Sequence, residues 1–196
     1  MFDIHVKHTE LCELMQKHGS DKGHPAGTAL HNYSIYYHAL FNPMRAEIRR
    51  VFEIGVLAGS SLRAWKDYFP NAAVFGADIE PGCMFSEPRI QTFLCDQTNA
   101  DSIANMWAHA DMKEPMDVIL DDGVHWPPVN GFFFERSFQQ LRSGGVYIIE
   151  DLYAVAPYQE LLDGWLGKFP IDDARILELP NHISRQDNKL LVMRKS

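Results

Sequence analysis

Two short stretches concentrate side chains that can hold a cation and move a proton. Leu120-Asp121-Asp122-Gly123-Val124-His125 and Ile149-Glu150-Asp151-Leu152 each place acids directly after an apolar, β-rich run. If those runs are neighbouring strands, about 4.8 Å apart, four carboxylates and a histidine converge on one region. Like charges that close repel and raise one another's pKa values unless a cation neutralises them. Oxygen ligands with no cysteine beside them favour a hard ion, magnesium first and then manganese or calcium. Asp122, Glu150 and Asp151 are the candidate metal ligands. Asp121, one residue earlier, should point elsewhere, toward a neighbouring bound ligand. His125 has an ordinary pKa of about 6.5, which suits a general base near neutral pH. The plainer alternatives are a solvated acidic rim and a turn histidine bonded to backbone.

A second constellation lies upstream, in Phe52-Glu53-Ile54-Gly55-Val56-Leu57-Ala58-Gly59-Ser60-Ser61. Gly55 and Gly59 allow a tight turn after a strand and close approach of backbone to a ligand. A dinucleotide fingerprint would need glycines at 57 and 60, where Leu57 and Ser60 stand, so a nicotinamide site is disfavoured. Asp78 follows Gly59 by 19 residues, close to the spacing at which a carboxylate meets ribose hydroxyls. Asp96, followed by Gln97, ends another β-rich run. With Glu53, carboxylates end three successive strands, which core packing does not explain.

These groups need a scaffold that brings strand ends together. From residue 51 onward, short β-rich runs (51–56, 73–78, 90–95, 116–121, 146–149) alternate with helical stretches (60–68, 99–109 and a helix opening at Pro127-Pro128). Phe134, Phe138 and Leu141 give that last helix an apolar face, and Ser143-Gly144-Gly145 should end it. Such alternation implies right-handed crossovers and a mostly parallel sheet covered on both faces. After a helix over 158–169, residues 174–179 and 189–194 read as two strands joined by too short a loop for a crossover, hence an antiparallel pair. The expected fold is α/β, a doubly wound, seven-stranded, mostly parallel sheet with a C-terminal antiparallel hairpin. Residues 51–196 would form the ligand-binding domain. Residues 1–50 differ: they carry two expected helices, 9–17 and 33–41, and six of the nine histidines. With no HxH or HExxH spacing, those histidines read as surface and lid residues.

Composition narrows the classes. With 196 residues, 46% hydrophobic and 22% charged, the chain suits one compact domain. A net charge of −8 without a Lys/Arg block argues against nucleic acid as a partner. No apolar run approaches the ~20 residues that span a bilayer, and the N-terminus lacks the order of a signal peptide. A cytoplasmic protein without a membrane partner is expected. Cys12, Cys83 and Cys95 are scattered and form no CxxC pair, so neither a disulfide framework nor a zinc site is expected.

The chain resembles a known family. Lys17-His18-Gly19-Ser20-Asp21-Lys22-Gly23, residues 31–41, FEIGVLAGSSLRAWKDYFP, DDGVHW and GGVYIIEDL resemble the metal-dependent sugar O-methyltransferases of the macrocin and mycinamicin type. The resemblance implies an S-adenosylmethionine (SAM) methyltransferase sheet. It implies magnesium on Asp122, Glu150 and Asp151, with His125 as the base. It also implies SAM contacts from the first-strand loop including Ser61, from Asp78 and from Asp96-Gln97, and a closing N-terminal lid holding Lys22, His31 and Tyr37. The implied partner is a small-molecule hydroxyl acceptor such as a sugar or glycosylated natural product, and the exposed lid and helices could pair subunits into a homo-oligomer. Leu57 departs from the wider methyltransferase pattern, and a family described as cephalosporin hydroxylase is also similar at the metal site. Two rival readings follow: a non-catalytic SAM- or nucleotide-binding module, and a metal-dependent hydrolase or hydroxylase on the same fold.

Overall fold

Local sequence sets the first helix. Thr9 caps it by accepting the Cys12 N–H at 3.3 Å, and Gly19, at φ 74°, closes it in the left-handed conformation that favours glycine. The computed structural model describes residues 8–23, 31–179 and 186–196. The elements run α1 (Glu10–His18), α2 (Tyr33–Phe41), β1 (Arg50–Ile54), α3 (Ser60–Tyr68), β2 (Ala73–Asp78), β3 (Ser86–Glu87) and β4 (Ile90–Leu94). They continue as α4 (Ala100–Trp107), β5 (Met116–Asp121), α5 (Pro127–Ser137), β6 (Leu141–Ile149), α6 (Val155–Trp165), β7 (Ile171–Glu178) and β8 (Lys189–Lys195).

All strands join one sheet of order β3-β4-β2-β1-β5-β6-β8-β7. The inner strands pair in parallel, whereas β8 runs antiparallel to both β6 and β7, the C-terminal hairpin that the short connection demanded. The sheet has eight strands rather than seven, because two-residue β3 adds an antiparallel edge to β4. A run of two residues is too short to show periodicity. The helix that opens at Pro127 ends at Ser137, followed by a 3-10 turn over Phe138–Gln140. Ser143, Gly144 and Gly145 therefore lie inside β6 and do not terminate the helix. Leu141, the expected third apolar helix position, is the first residue of that strand.

Two apolar layers cover the sheet. On one face Phe52, Ile54, Ile119, Phe133, Phe134 and Tyr147 pack together. On the other Val51, Val118 and Ile148 pack under Leu11, Tyr37 and Trp65 from α1, α2 and α3. Each such large side chain contributes roughly 1.5–3 kcal/mol on burial. The N-terminal helices are thus bonded into the same core as the sheet. No helix among the described residues is long and apolar enough to cross a membrane.

The chain leaves β1 in one direction to β2 and β4 and returns on the other side to β5 and β6, so strand order reverses between β1 and β5. Ligands in such sheets bind beyond the carboxyl ends of the strands at this reversal. Register fixes what stands there: Ile54 is opposite Asp121, and Asp121 is opposite Ile149. The next residues, Gly55, Asp122 and Glu150, therefore emerge side by side.

Candidate active site

A cleft of about 240 Å³ opens at the strand reversal. Gly55, Asp78, Asp96 and Gln97 line it, with Cys95 and Gly123. Asp78 holds the first-strand loop in shape. Its Oδ2 accepts the N–H groups of Val56 and Leu57 at 2.8 and 3.1 Å, and its Oδ1 accepts that of Glu80 at 3.0 Å. Leu57 has φ 47°, a conformation that favours glycine, and its side chain is 82% exposed. The bonds from Asp78 to this loop provide a restraint that offsets such strain. A second hollow adjoins the first, bounded by Ser20, Asp21, Lys22, Leu57, Ser61 and Asp122. Gly59 precedes α3 as its N-terminal cap, with φ 72°, and lies against the Phe85 ring, so that a Cβ there would stand 2.5 Å from ring carbon.

Two of the acids expected to face a bound ligand stand behind the cleft wall instead. Glu53 is fully buried and accepts the Ser61 hydroxyl and the Trp65 indole N–H, both at 2.6 Å. Burial pushes its carboxyl up to about 7, against the opposing pull of Lys22. Asp121 is fully buried as well, accepting Gln97 Nε2 at 2.6 Å, Asn130 Nδ2 at 3.1 Å and the Gly123 N–H at 3.4 Å. Burial raises it to about 6. A buried carboxylate needs protein donors, and these two have recruited theirs from α3, α5 and the loop after β4. Their work is to fix the walls: Asp121 orients Gln97, whose Oε1 accepts the Val124 N–H at 3.0 Å.

The acidic sheet end holds the other groups. Asp122, His125 and Asp151 each offer one ligand atom, and those atoms lie within 4.8 Å of one another. His125 Nε2 is 3.8 Å from Asp151 Oδ2, and the buried His125 Nδ1 has no hydrogen-bond partner among the described residues. His125 and Asp151 take φ values of 52° and 57°, which non-glycine residues rarely adopt and which concentrate at functional sites. Asp151 also receives the Tyr33 hydroxyl at 2.6 Å and lies 3.6 Å from His31 Nε2. His31, Asp151 and Asp187 form a second group with the same spread of ligand atoms.

Glu150 is held differently from Asp151. It is fully buried, accepts the Tyr37 hydroxyl at 2.8 Å on Oε1, and meets the Lys22 ammonium at 2.8 Å on Oε2. Lys22 also pairs with Asp122 Oδ2 and lies 3.8 Å from Glu53 Oε1. Burial opposes the charge on Lys22, but Asp122, Glu150 and Glu53 outweigh it and hold the ammonium well above its ordinary pKa. Burial likewise raises Asp122 and Glu150, which Lys22 partly offsets. The structure thus places Asp122 and Asp151 with His125 on the open side and Glu150 on the inner side beside a lysine.

Tyr33 was not singled out by sequence reasoning, and its signal is local. Tyr33 and Tyr37 are four apart on α2, hence on one helix face, and reach adjacent acids, Asp151 and Glu150. Trp126 and Tyr153 are 59% and 64% exposed, whereas Trp165 is buried and stacked on Phe134 at 3.8 Å. The described cysteines are all free.

A doubly wound sheet of this strand order, with a ligand cleft at its reversal, is the fold that this chain shares with SAM-dependent methyltransferases of known structure. MycE methyltransferase from the mycinamycin biosynthetic pathway, in complex with Mg and SAH, superposes with a TM-score of 0.76 at 25% identity, covering 96% of this chain and 55% of that one. Its complex with Mg, SAH and mycinamycin VI gives 0.75 at 27% identity, over 96% and 55% of the two chains. No protein-family model matches the chain. By sequence it is 36% identical over 149 residues to the 8-demethyl-8-alpha-L-rhamnosyl tetracenomycin-C 2'-O-methyltransferase of Streptomyces olivaceus, covering 72% of this chain and 37% of that protein. It is 33% identical over 173 residues to the mycinamicin VI 2''-O-methyltransferase of Micromonospora griseorubida, covering 80% of this chain and 43% of that protein. The chain belongs with the sugar O-methyltransferases of the macrocin, mycinamicin and tetracenomycin type. It spans less than half the length of these curated relatives.

Proposed function

We propose that the chain is a SAM- and divalent-metal-dependent O-methyltransferase acting on a sugar hydroxyl of a glycosylated small molecule. The observation that carries the proposal is the meeting of Asp122, His125 and Asp151 within 4.8 Å at the strand ends beside the cleft. The donor set fits a hard divalent ion such as magnesium: carboxylate oxygens dominate, and no thiol is among them. Asp122 and Asp151 would hold the ion, with Glu150 the third acid at the same sheet end. A metal bound there supplies Lewis-acid polarisation, which lowers the pKa of an acceptor hydroxyl.

The chain's own residues do the rest. Gly55, Asp78, Asp96 and Gln97 form the wall against which the SAM nucleoside would lie. His125 would accept the proton that the acceptor hydroxyl loses as its oxygen takes the methyl group and the donor's sulfonium–methyl bond breaks, leaving the neutral thioether. Holding both reactants at one sheet end removes most of the orientational cost of the transfer. Trp126, next to His125 in sequence, and Tyr153, two residues after Asp151, offer exposed rings suited to the apolar face of a sugar. In this reading residues 1–50 are the lid segment, of which α1 and α2 are described, and residues 51–196 the SAM-binding domain. We place the reaction in the cytoplasm, where free cysteines stay reduced.

The test is incubation with methyl-labelled SAM and a panel of rhamnosylated and other glycosylated acceptors, with magnesium or with EDTA. Label should pass to the sugar only when metal is present. Undiminished transfer in EDTA would remove the metal from the mechanism. No transfer to any acceptor, with SAM still bound, would favour a non-catalytic binding module.

A further inference from the structure

The acidic site contains a cation supplied by the chain itself. Lys22 lies in the loop between α1 and α2, and its side chain is only 3% exposed. Both of its backbone groups are anchored: its N–H donates to Ser20 Oγ at 3.3 Å, and its carbonyl accepts the Ser34 N–H at 3.0 Å. The residue is thus built into place, and its ammonium reaches Asp122, Glu150 and Glu53 together. With Asp151, those acids make four carboxyl groups in one small region. Among the described residues Lys22 is the only lysine or arginine ion-paired with any of them.

Resting on the metal reading above, we propose that Lys22 is a resident counter-cation that shares Asp122 and Glu150 with the metal and thereby sets the metal affinity. Its ammonium keeps the inner acids paired, so the fold does not depend on metal to neutralise them. The same positive charge would repel a dication held by Asp122 and Asp151, in a buried setting where screening is weak. Lys22 therefore weakens metal binding in return for a stable metal-free fold. A purely structural lysine would stabilise the fold but leave the affinity for metal unchanged.

The experiment is calorimetric titration of magnesium into wild-type protein and Lys22→Met, with thermal melting of both in EDTA and in magnesium. Lys22→Met should bind magnesium at least tenfold more tightly. It should melt lower than wild type in EDTA, and magnesium should raise its Tm more than that of wild type. If wild type binds magnesium and the variant binds with equal or lower affinity, the counter-cation proposal fails while the metal reading stands. If neither protein binds magnesium, the metal reading itself fails and carries this proposal with it. Should Lys22→Met not yield folded protein, Lys22→Gln keeps a hydrogen-bond donor without the charge and is subject to the same outcomes.

Discussion

Replacing Gly55 by alanine should be among the most damaging single changes at this site, for reasons the backbone makes explicit. Gly55 follows β1 at φ 98°, and a Cβ there would fall well inside 3.0 Å of the Asp122 carbonyl oxygen. The obstacle is main chain, pinned by the bond from the Asp122 N–H to the Ile54 carbonyl at 3.0 Å, so no rotamer change relieves it. A side chain held at strained positive φ costs about 1–3 kcal/mol, and forced overpacking adds about 1–3 kcal/mol. Gly55→Ala should therefore cost about 2–6 kcal/mol, and should shift Asp122 and weaken magnesium binding. Gly123→Ala is the control: its Cβ would meet the Gln97 side-chain amide, which can swing aside. The loss there should be limited to the Gln97 hydrogen bonds, about 1–2 kcal/mol. Denaturant unfolding at 25 °C measures both, and calorimetry measures the metal. A Gly55→Ala protein within about 1 kcal/mol of wild type, binding magnesium normally, would refute this packing argument.

Other changes probe single groups. His125→Ala should lower kcat by about 10²–10⁴ while SAM binding, followed by calorimetry, stays near wild type; turnover at the parental rate would remove His125 as the base. Asp67, bonded to Lys17 and His18 at 2.8 and 2.9 Å, is held down at about 2 by those bonds. A depressed carboxyl contributes stability that is present above its unfolded pKa and lost as pH falls through the folded one. The pair is partly exposed, so Asp67→Asn should cost under about 1 kcal/mol at pH 7. That deficit should narrow as the pH falls from 5 to 3; a deficit that widens on acidification would contradict the assignment.

The fold was legible where hydrophobic runs and turns are punctuated sharply. The alternation after residue 51 implied the parallel sheet, and the short link before Lys189 implied the reversed hairpin that β7 and β8 form. Local pattern failed at Phe138 and Leu141, whose helical spacing continues past the true helix end at Ser137. There the pairing of β6 with β5 and β8 overrides the apolar period. The location of the candidate site was also legible, because acids directly after two strands emerge together once those strands are neighbours. What each acid touches was not. Glu53 and Asp121 look like their neighbours in the sequence, yet strand register sends them inward to Trp65, Asn130 and Gln97. Lys22 is about a hundred residues distant in sequence from the acids it pairs, a contact set by tertiary packing of the N-terminal loop. The tyrosines of α2 had a signal, their spacing of four, but it gains meaning only once that helix is seen to cover the strand ends.

The most direct measurement of where a metal sits is anomalous diffraction from crystals of this protein soaked in manganese, a scatterer that can replace magnesium. A single strong peak is expected within bonding distance of Asp122 and Asp151, on the His125 side of the sheet end. A peak remote from those two carboxylates, or none there at saturating manganese, would contradict it.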